Sequence, residues 1–238
     1  MAVVDKINSI NHARLTLTFV RERTNKVILF YSGGKDSIVL LDMLSFLFDE
    51  IHCVFMYFVD DLQHQQHLLS YPKKYGSKVV VHKYPHWMLT TYFRDSYFRF
   101  HRIEQNVKLL TLKDIEKHAK NQLGIDWVIN GAKQSDSLQR NLMLRRLKFT
   151  SINEASQRVY PLSIWSKKDV ISYIWTNRLM LPESYGIGKS NGVDLTIDCL
   201  LYLKNNYPED LTKILKIFPF AETILINHAD KHIEVPEV

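Results

Sequence analysis

Two cysteines, Cys53 and Cys199, are the only thiols in 238 residues. They are too few for a disulfide framework or a four-thiolate metal site within one chain, and no Cys-x-x-Cys pair exists. A reducing cytoplasm is therefore the expected setting. Nowhere do about eighteen apolar residues run together as a membrane span requires, and the opening MAVVDKINSINHARL mixes acid and amide groups among its apolar positions. No signal peptide, anchor or membrane partner is expected. Internal repeats and low-complexity tracts are missing too, and only the ending HADKHIEVPEV reads as a tail that frays.

What is present suits a sizeable core: 46% of the residues are hydrophobic, enough for one domain with elaborations. The formal charge of +6 favours a polyanionic ligand, either a nucleotide or a nucleic acid. Val3, Ile7, Ile10, Leu17 and Val20 recur at helical spacing, which predicts an amphipathic packing helix closing at residues 23–25. VILFY (27–31), CVFMYFV (53–59), VVVHKY (79–84) and DWVIN (126–130) read as buried strands, with helical or loop-like stretches at 62–75 and 104–123 between them. Strand alternating with helix predicts an α/β fold with a doubly wound parallel sheet. A nucleotide-binding domain over 1–159 and a C-terminal helical extension over 160–238, packed on it, are the expected divisions.

The first strand runs straight into SGGKDS, residues 32–37, and then into almost unbroken apolar sequence. A strand feeding a buried helix through two glycines leaves backbone N–H groups unpaired at the turn. Gly33 and Gly34 allow positive φ and close approach of an anion. The helix end is partly positive, Lys35 adds a full charge, and the Ser32 and Ser37 hydroxyls are further donors, so phosphate or pyrophosphate is the natural ligand. The commoner G-x-x-x-x-G-K-[ST] loop is excluded by Leu29 and Asp36, and no G-x-G-x-x-G occurs.

SGGKDS resembles the pyrophosphate loop of the PP-loop ATP pyrophosphatase (adenine nucleotide α-hydrolase) superfamily. GAKQSDSLQR (131–140) resembles the Gly-x-Arg-x-x-x-Ser-x-x-Arg segment of the phosphoadenosine phosphosulfate reductase and ATP sulfurylase small-subunit branch, with Lys133 in place of the first arginine. Residues 160–190 match that branch's Pro-Leu, Trp, Asp-Val, Tyr-Ile and late Pro followed by Tyr-Gly. The resemblance implies ATP or phosphoadenosine phosphosulfate as ligand, with chemistry at the α-phosphate. It implies Ser32, Gly33, Gly34, Lys35, Asp36, Ser37, Asp60, Gly131 and Lys133 as nucleotide-binding residues, and Lys35, Asp36 and Arg140 as catalytic ones. Lys35 would stabilise departing pyrophosphate, and Arg140 with Lys133 would clamp outer phosphates or an anionic acceptor. Asp36 and Asp60 would hold Mg²⁺; Asp36 also reads as a cap for the following helix.

The chain departs from that branch at its thiols. Without a C-terminal Glu-Cys-Gly-x-x-His-like motif or cysteine pairs, neither thiol-dependent reduction nor an iron–sulfur cluster is expected, and Cys199, set among Leu195, Leu200, Leu201 and Leu203, reads as a buried, inert thiol. His64 and His67, with His82 and His86 nearby, read as surface or hydrogen-bonded side chains rather than a zinc site. HWMLTTYFRDSYFRFHRI (86–103) reads as a helix with buried rings and solvated arginines, and otherwise as a single-strand binder. Arg145 and Arg146 read as a solvated helix face that is also suited to nucleic acid. Two rivals to adenylyl transfer stand: a nucleic-acid-modifying ATPase that adenylates a base, and a non-catalytic nucleotide-binding subunit. The acceptor and the oligomeric state, a homo-oligomer included, stay open.

Overall fold

The computed structural model describes residues 8–99, 108–180 and 195–230. Helix α1 (Ser9–Arg21) begins where the Asn8 side chain accepts the Ile10 amide at 2.9 Å, satisfying an orphan donor of the first turn. His12, Ala13, Thr16, Leu17 and Val20 are its buried residues. The expected amphipathic helix is thus present, while Val3 and Ile7 lie outside the described residues. Strand β1 (Lys26–Phe30) buries Val27, Ile28 and Leu29 completely. Helix α2 (Lys35–Ser45) is buried from Ser37 to Ser45, which is why its sequence is apolar on every side.

Strand β2 (Glu50–Tyr57) is followed by α3 (Gln66–Ser70) between short 3-10 turns, then by β3 (Val79–Pro85). Next come α4 (Leu89–Arg94), α5 (Leu112–Leu123), β4 (Val128–Ile129) and α6 (Leu138–Arg145). The short strands β5 (Ile152–Asn153) and β6 (Arg158–Val159) precede α7 (Lys167–Thr176), and α8 (Ile197–Asn206), α9 (Pro208–Ile217) and α10 (Glu222–Asp230) end the described chain. The sheet order is β3-β2-β1-β4-β6-β5. β1 pairs in parallel with β2 and β4, β4 in parallel with β6, and β5 antiparallel with β6. This is the α/β fold expected, a mostly parallel sheet with flanking helices. β5 and β6 were not anticipated, because two residues each are too few to write a pattern.

The chain forms two compact units that interleave in sequence. One comprises the described residues up to 55 with 70–82 and 118–180, and it includes α7. This grouping differs from a division at residue 160. Residues after 160 are anchored within the sheet unit: the buried Trp165 donates its indole N–H to the Ser9 carbonyl at 2.8 Å, and the Tyr173 hydroxyl donates to the buried Asp42 at 3.0 Å. The other unit gathers 56–69, the described residues of 83–117, and 195–230. Its core includes Cys199, Leu200, Leu203, Ile214, Phe218 and Ala221, all fully buried, with Tyr92, Phe93 and Phe98 packed against it. The aromatic run therefore half-buries three rings while Tyr97 stays exposed, and its helix is short. α4 ends at Arg94, and Ser96 and Phe98 take φ of 55° and 57°, which no helix allows.

Candidate functional site

At the end of β1 the Tyr31 amide still bonds to the Val54 carbonyl at 2.9 Å, and then the chain turns. Gly33 takes φ of 72°, in the left-handed region that favours glycine. Gly34 does not: at φ −74° and ψ 160° it is extended, and it serves as the N-cap of α2. Only one of the two glycines is thus needed for its dihedral freedom. The Gly34 amide donates to the Ser32 hydroxyl oxygen at 3.3 Å. Ser37 donates inward to the Gly34 carbonyl at 2.8 Å, so its hydroxyl closes the turn rather than facing a ligand. The remaining first-turn amides of α2 have no acceptor within the helix.

Around this turn the structure gathers charge. Lys133, only 4% exposed at its side chain, places its ammonium 2.8 Å from Asp36 and 3.1 Å from Asp136. Lys35 reaches Asp36 at 3.3 Å, and Arg140 reaches Asp136 at 2.8 Å with its side chain 54% exposed. Three cations thus face two carboxylates, leaving a net charge of one positive unit at a partly positive helix end. Burial pushes the Asp136 carboxyl up, but the Lys133 amide and ammonium and the Arg140 guanidinium outweigh it and hold it below the usual carboxylate range.

Two local features bring 131–140 to the helix. Gly131 packs so close to α2 that a Cβ there would lie 3.2 Å from the Asp36 Cβ and 3.5 Å from Leu40. Gln134 donates its amide to the Ser163 carbonyl at 2.8 Å, and Ser135 its hydroxyl to the Trp165 carbonyl at 3.0 Å. The LSIW stretch is thereby the scaffold of the basic loop.

The structure brings Lys35, Asp36, Gly131, Lys133 and Arg140 together. Lys133 is a buried bridge between carboxylates, not an outward clamp. Asp136 was missed, although its spacing of three from Lys133 and four from Arg140 is the signal that predicts it. Asp60 falls in the other unit and pairs with Lys83 at 2.6 Å, which helps hold its carboxyl low against the opposing effect of burial. A Mg²⁺ ion is compatible with Asp36, whose Oδ1 is buried with no hydrogen-bond partner, as a single hard donor completed by phosphate oxygens. Lys83 already neutralises Asp60. Among the described residues no three His, Cys, Asp or Glu side chains cluster to hold a metal.

The histidines have structural partners: His64 bonds through Nδ1 to Asp210 at 2.9 Å, His82 to His52 at 2.8 Å, and His86 stacks on Phe58. Both cysteines are fully buried. Among the described residues no helix is long and apolar enough to cross a membrane. A cavity of about 670 Å³, lined by Arg14, Met43, Leu47 and Tyr173 among others, includes none of the expected phosphate-site residues.

Residues 26–188 match the family model described as the phosphoadenosine phosphosulfate reductase domain. Among solved structures the chain is similar to the phosphoadenylyl-sulfate reductase of Candida auris in its phosphate complex, at 20% identity over 71% of this chain and 81% of that one, with a TM-score of 0.44. It is also similar to the NH3-dependent NAD synthetase of Campylobacter jejuni subsp. jejuni in complex with nitrate, at 15% identity over 98% and 99% of the two chains, with a TM-score of 0.46. No curated protein matches it.

Proposed function

The chain belongs to the phosphoadenosine phosphosulfate reductase domain family, and from that premise we propose that it binds ATP or a sulfated adenine nucleotide at residues 32–37 and acts at the α-phosphate. The observation that carries this reading is the excess of cations, Lys35, Lys133 and Arg140 against Asp36 and Asp136, assembled at the first turn of α2. With ATP, an anionic acceptor oxygen attacks the α-phosphorus, the bond to the α–β bridging oxygen breaks, and pyrophosphate leaves with the electron pair; with a sulfated nucleotide the same step releases sulfate. Charge growing on that leaving group is stabilised by the first-turn amides and by Lys35, which lies beside them. Arg140 offers a planar fork to the outer phosphate oxygens. Lys133 and Asp136 hold these groups in place. Bound Mg²⁺, with Asp36 as its protein ligand, would supply further charge neutralisation.

Adenylyl transfer is favoured over thiol-dependent reduction because Cys53 and Cys199 are both fully buried, whereas a thiol nucleophile must be reached by its substrate. Calorimetry with ATP and with phosphoadenosine phosphosulfate, followed by pyrophosphate release across a panel of acceptors and mass spectrometry of the products, tests the proposal. Nucleotide binding with an adenylated product is the expected result. Binding without release from any acceptor would favour a nucleotide-binding subunit, and no binding would remove the reading altogether.

A further inference from the structure

The sheet unit carries a second cationic surface, built around a strained turn. Lys148, Phe149, Thr150 and Ser151 link α6 to β5, and the Ser151 and Ile152 amides close the turn on the Lys148 carbonyl at 3.1 and 2.9 Å. Phe149 and Thr150 take φ of 50° and 56° in succession, where glycine or asparagine is the ordinary choice and a β-branched residue is an outlier. Such strain persists only where its surroundings over-determine it. Here a buried polar group does so: His12 Nε2 lies 2.9 Å from the Phe149 carbonyl and 3.1 Å from the Ser151 hydroxyl, which in turn meets Ser163 at 2.7 Å. The result is a phenyl ring held 64% exposed.

Cations interleave with that ring. The Lys148 ammonium, paired with Glu154 at 2.5 Å, lies 5.7 Å from the Phe149 ring and 4.7 Å from the Phe19 ring, and the Arg23 guanidinium, paired with Glu22 at 3.7 Å, covers Phe19 at 3.5 Å. One turn upstream, Arg145 and Arg146 are exposed and have no ion-pair partner among the described residues. From Leu142 to Ser151 the chain has three cations, of which Lys148 pairs with Glu154 and Arg145 and Arg146 stay free for a ligand. A core-packing turn needs neither an outward ring nor this charge.

We propose that this surface binds single-stranded nucleic acid, with a base stacked on Phe149 and backbone phosphates on Arg145 and Arg146. Rings alternating with cations supply the two elements such binding uses, a sequence-tolerant stacking platform and a charged track. A second copy of the chain fits poorly, because a two-fold contact would set these arginines against their own kind. The exposed Leu138 and Leu142 on the same helix make an anionic membrane the competing occupant. The proposal does not rest on the nucleotide reading, since none of these residues belongs to the phosphate site.

Fluorescence anisotropy with labelled oligo-dT and oligo-U tests it between about 50 and 200 mM salt. Phe149→Asn removes the ring at a dihedral that asparagine tolerates, so the fold is retained. It should weaken binding about 5- to 150-fold, the equivalent of about 1–3 kcal/mol, and leave the salt slope unchanged. Arg145→Ala with Arg146→Ala should lower the slope of log affinity against log salt by about 1.4. Lys113→Ala with Lys117→Ala, two exposed lysines of α5, should change neither. Saturating ATP should leave oligonucleotide binding intact. Absence of binding at low salt would overturn the proposal, as would indifference to Phe149→Asn, an equal effect of the α5 control, tighter binding to duplex, displacement by ATP, or binding only to phosphatidylserine vesicles.

Discussion

Replacing Gly33 and Gly34 separately by alanine should give opposite results that the sequence alone does not foretell. Gly33 sits at φ 72°, where an alanine Cβ approaches its own backbone at a cost of about 1–2 kcal/mol. Gly34 sits at φ −74°, which alanine adopts freely. Its added Cβ meets only the Ser32 hydroxyl oxygen, at 3.2 Å, the movable end of an exposed side chain. For a chain of this size 1 kcal/mol moves the melting temperature by about 2–4 °C. Gly33→Ala should therefore melt about 2–8 °C lower in calorimetry and Gly34→Ala within about 2 °C of the parent. Titration with ATP should show Gly33→Ala at least about tenfold weaker, because the turn must distort, and Gly34→Ala within about threefold. A Gly34 variant hurt more than the Gly33 variant would refute the reasoning and mean that the Gly34 backbone itself faces the anion.

Lys133→Met keeps the stem but leaves Asp36 and Asp136 without their shared ammonium. Because Asp36 and Asp136 are each about a quarter exposed and keep Lys35 and Arg140 as partners, the loss should be about 1–3 kcal/mol, which urea unfolding should register, and a variant of parental stability would show that the bridge does not form. Acid should weaken the same cluster: the Asp136 carboxyl is depressed in the folded state, so its contribution is present above its unfolded value of about 3.9 and disappears as pH falls through the folded value. The urea midpoint should drop as pH falls below about 4, and Asp136→Asn should flatten that dependence. Cys199, fully buried in α8, should react with iodoacetamide only on unfolding, and Cys199→Ser should lose about 1–3 kcal/mol while keeping nucleotide binding. Rapid labelling of the native protein, with sulfite release abolished by the serine, would restore thiol chemistry.

The parts readable in the sequence are those where burial on both faces writes an unbroken apolar run. VILFY and CVFMYFV are legitimate strands for that reason, and the polar turn between VILFY and the buried α2 stands out against them. β5 and β6 leave no such trace, because two residues each write no pattern and only their pairing, β6 with β4 and β5 with β6, makes them strands. The interleaving of the two units is unreadable for a similar cause. The burial of Lys133 is not legible, since lysine is ordinarily exposed and only its two carboxylate partners, on separate elements, make burial tolerable.

That burial decides what a lysine, rather than an arginine, does at this position. A guanidinium presents a wide planar fork suited to one oxyanion, whereas an ammonium is a compact charge that three acceptors can surround. Between Asp36 on α2 and Asp136 before α6, the compact charge ties the helix start to the basic loop and is consumed in doing so. On the proposed nucleotide reading, outward attraction for phosphate then falls to Lys35, Arg140 and the helix end. Arg140 is itself steadied by Asp136, so the carboxylate that the sequence reading overlooked governs both the buried cation and the exposed one.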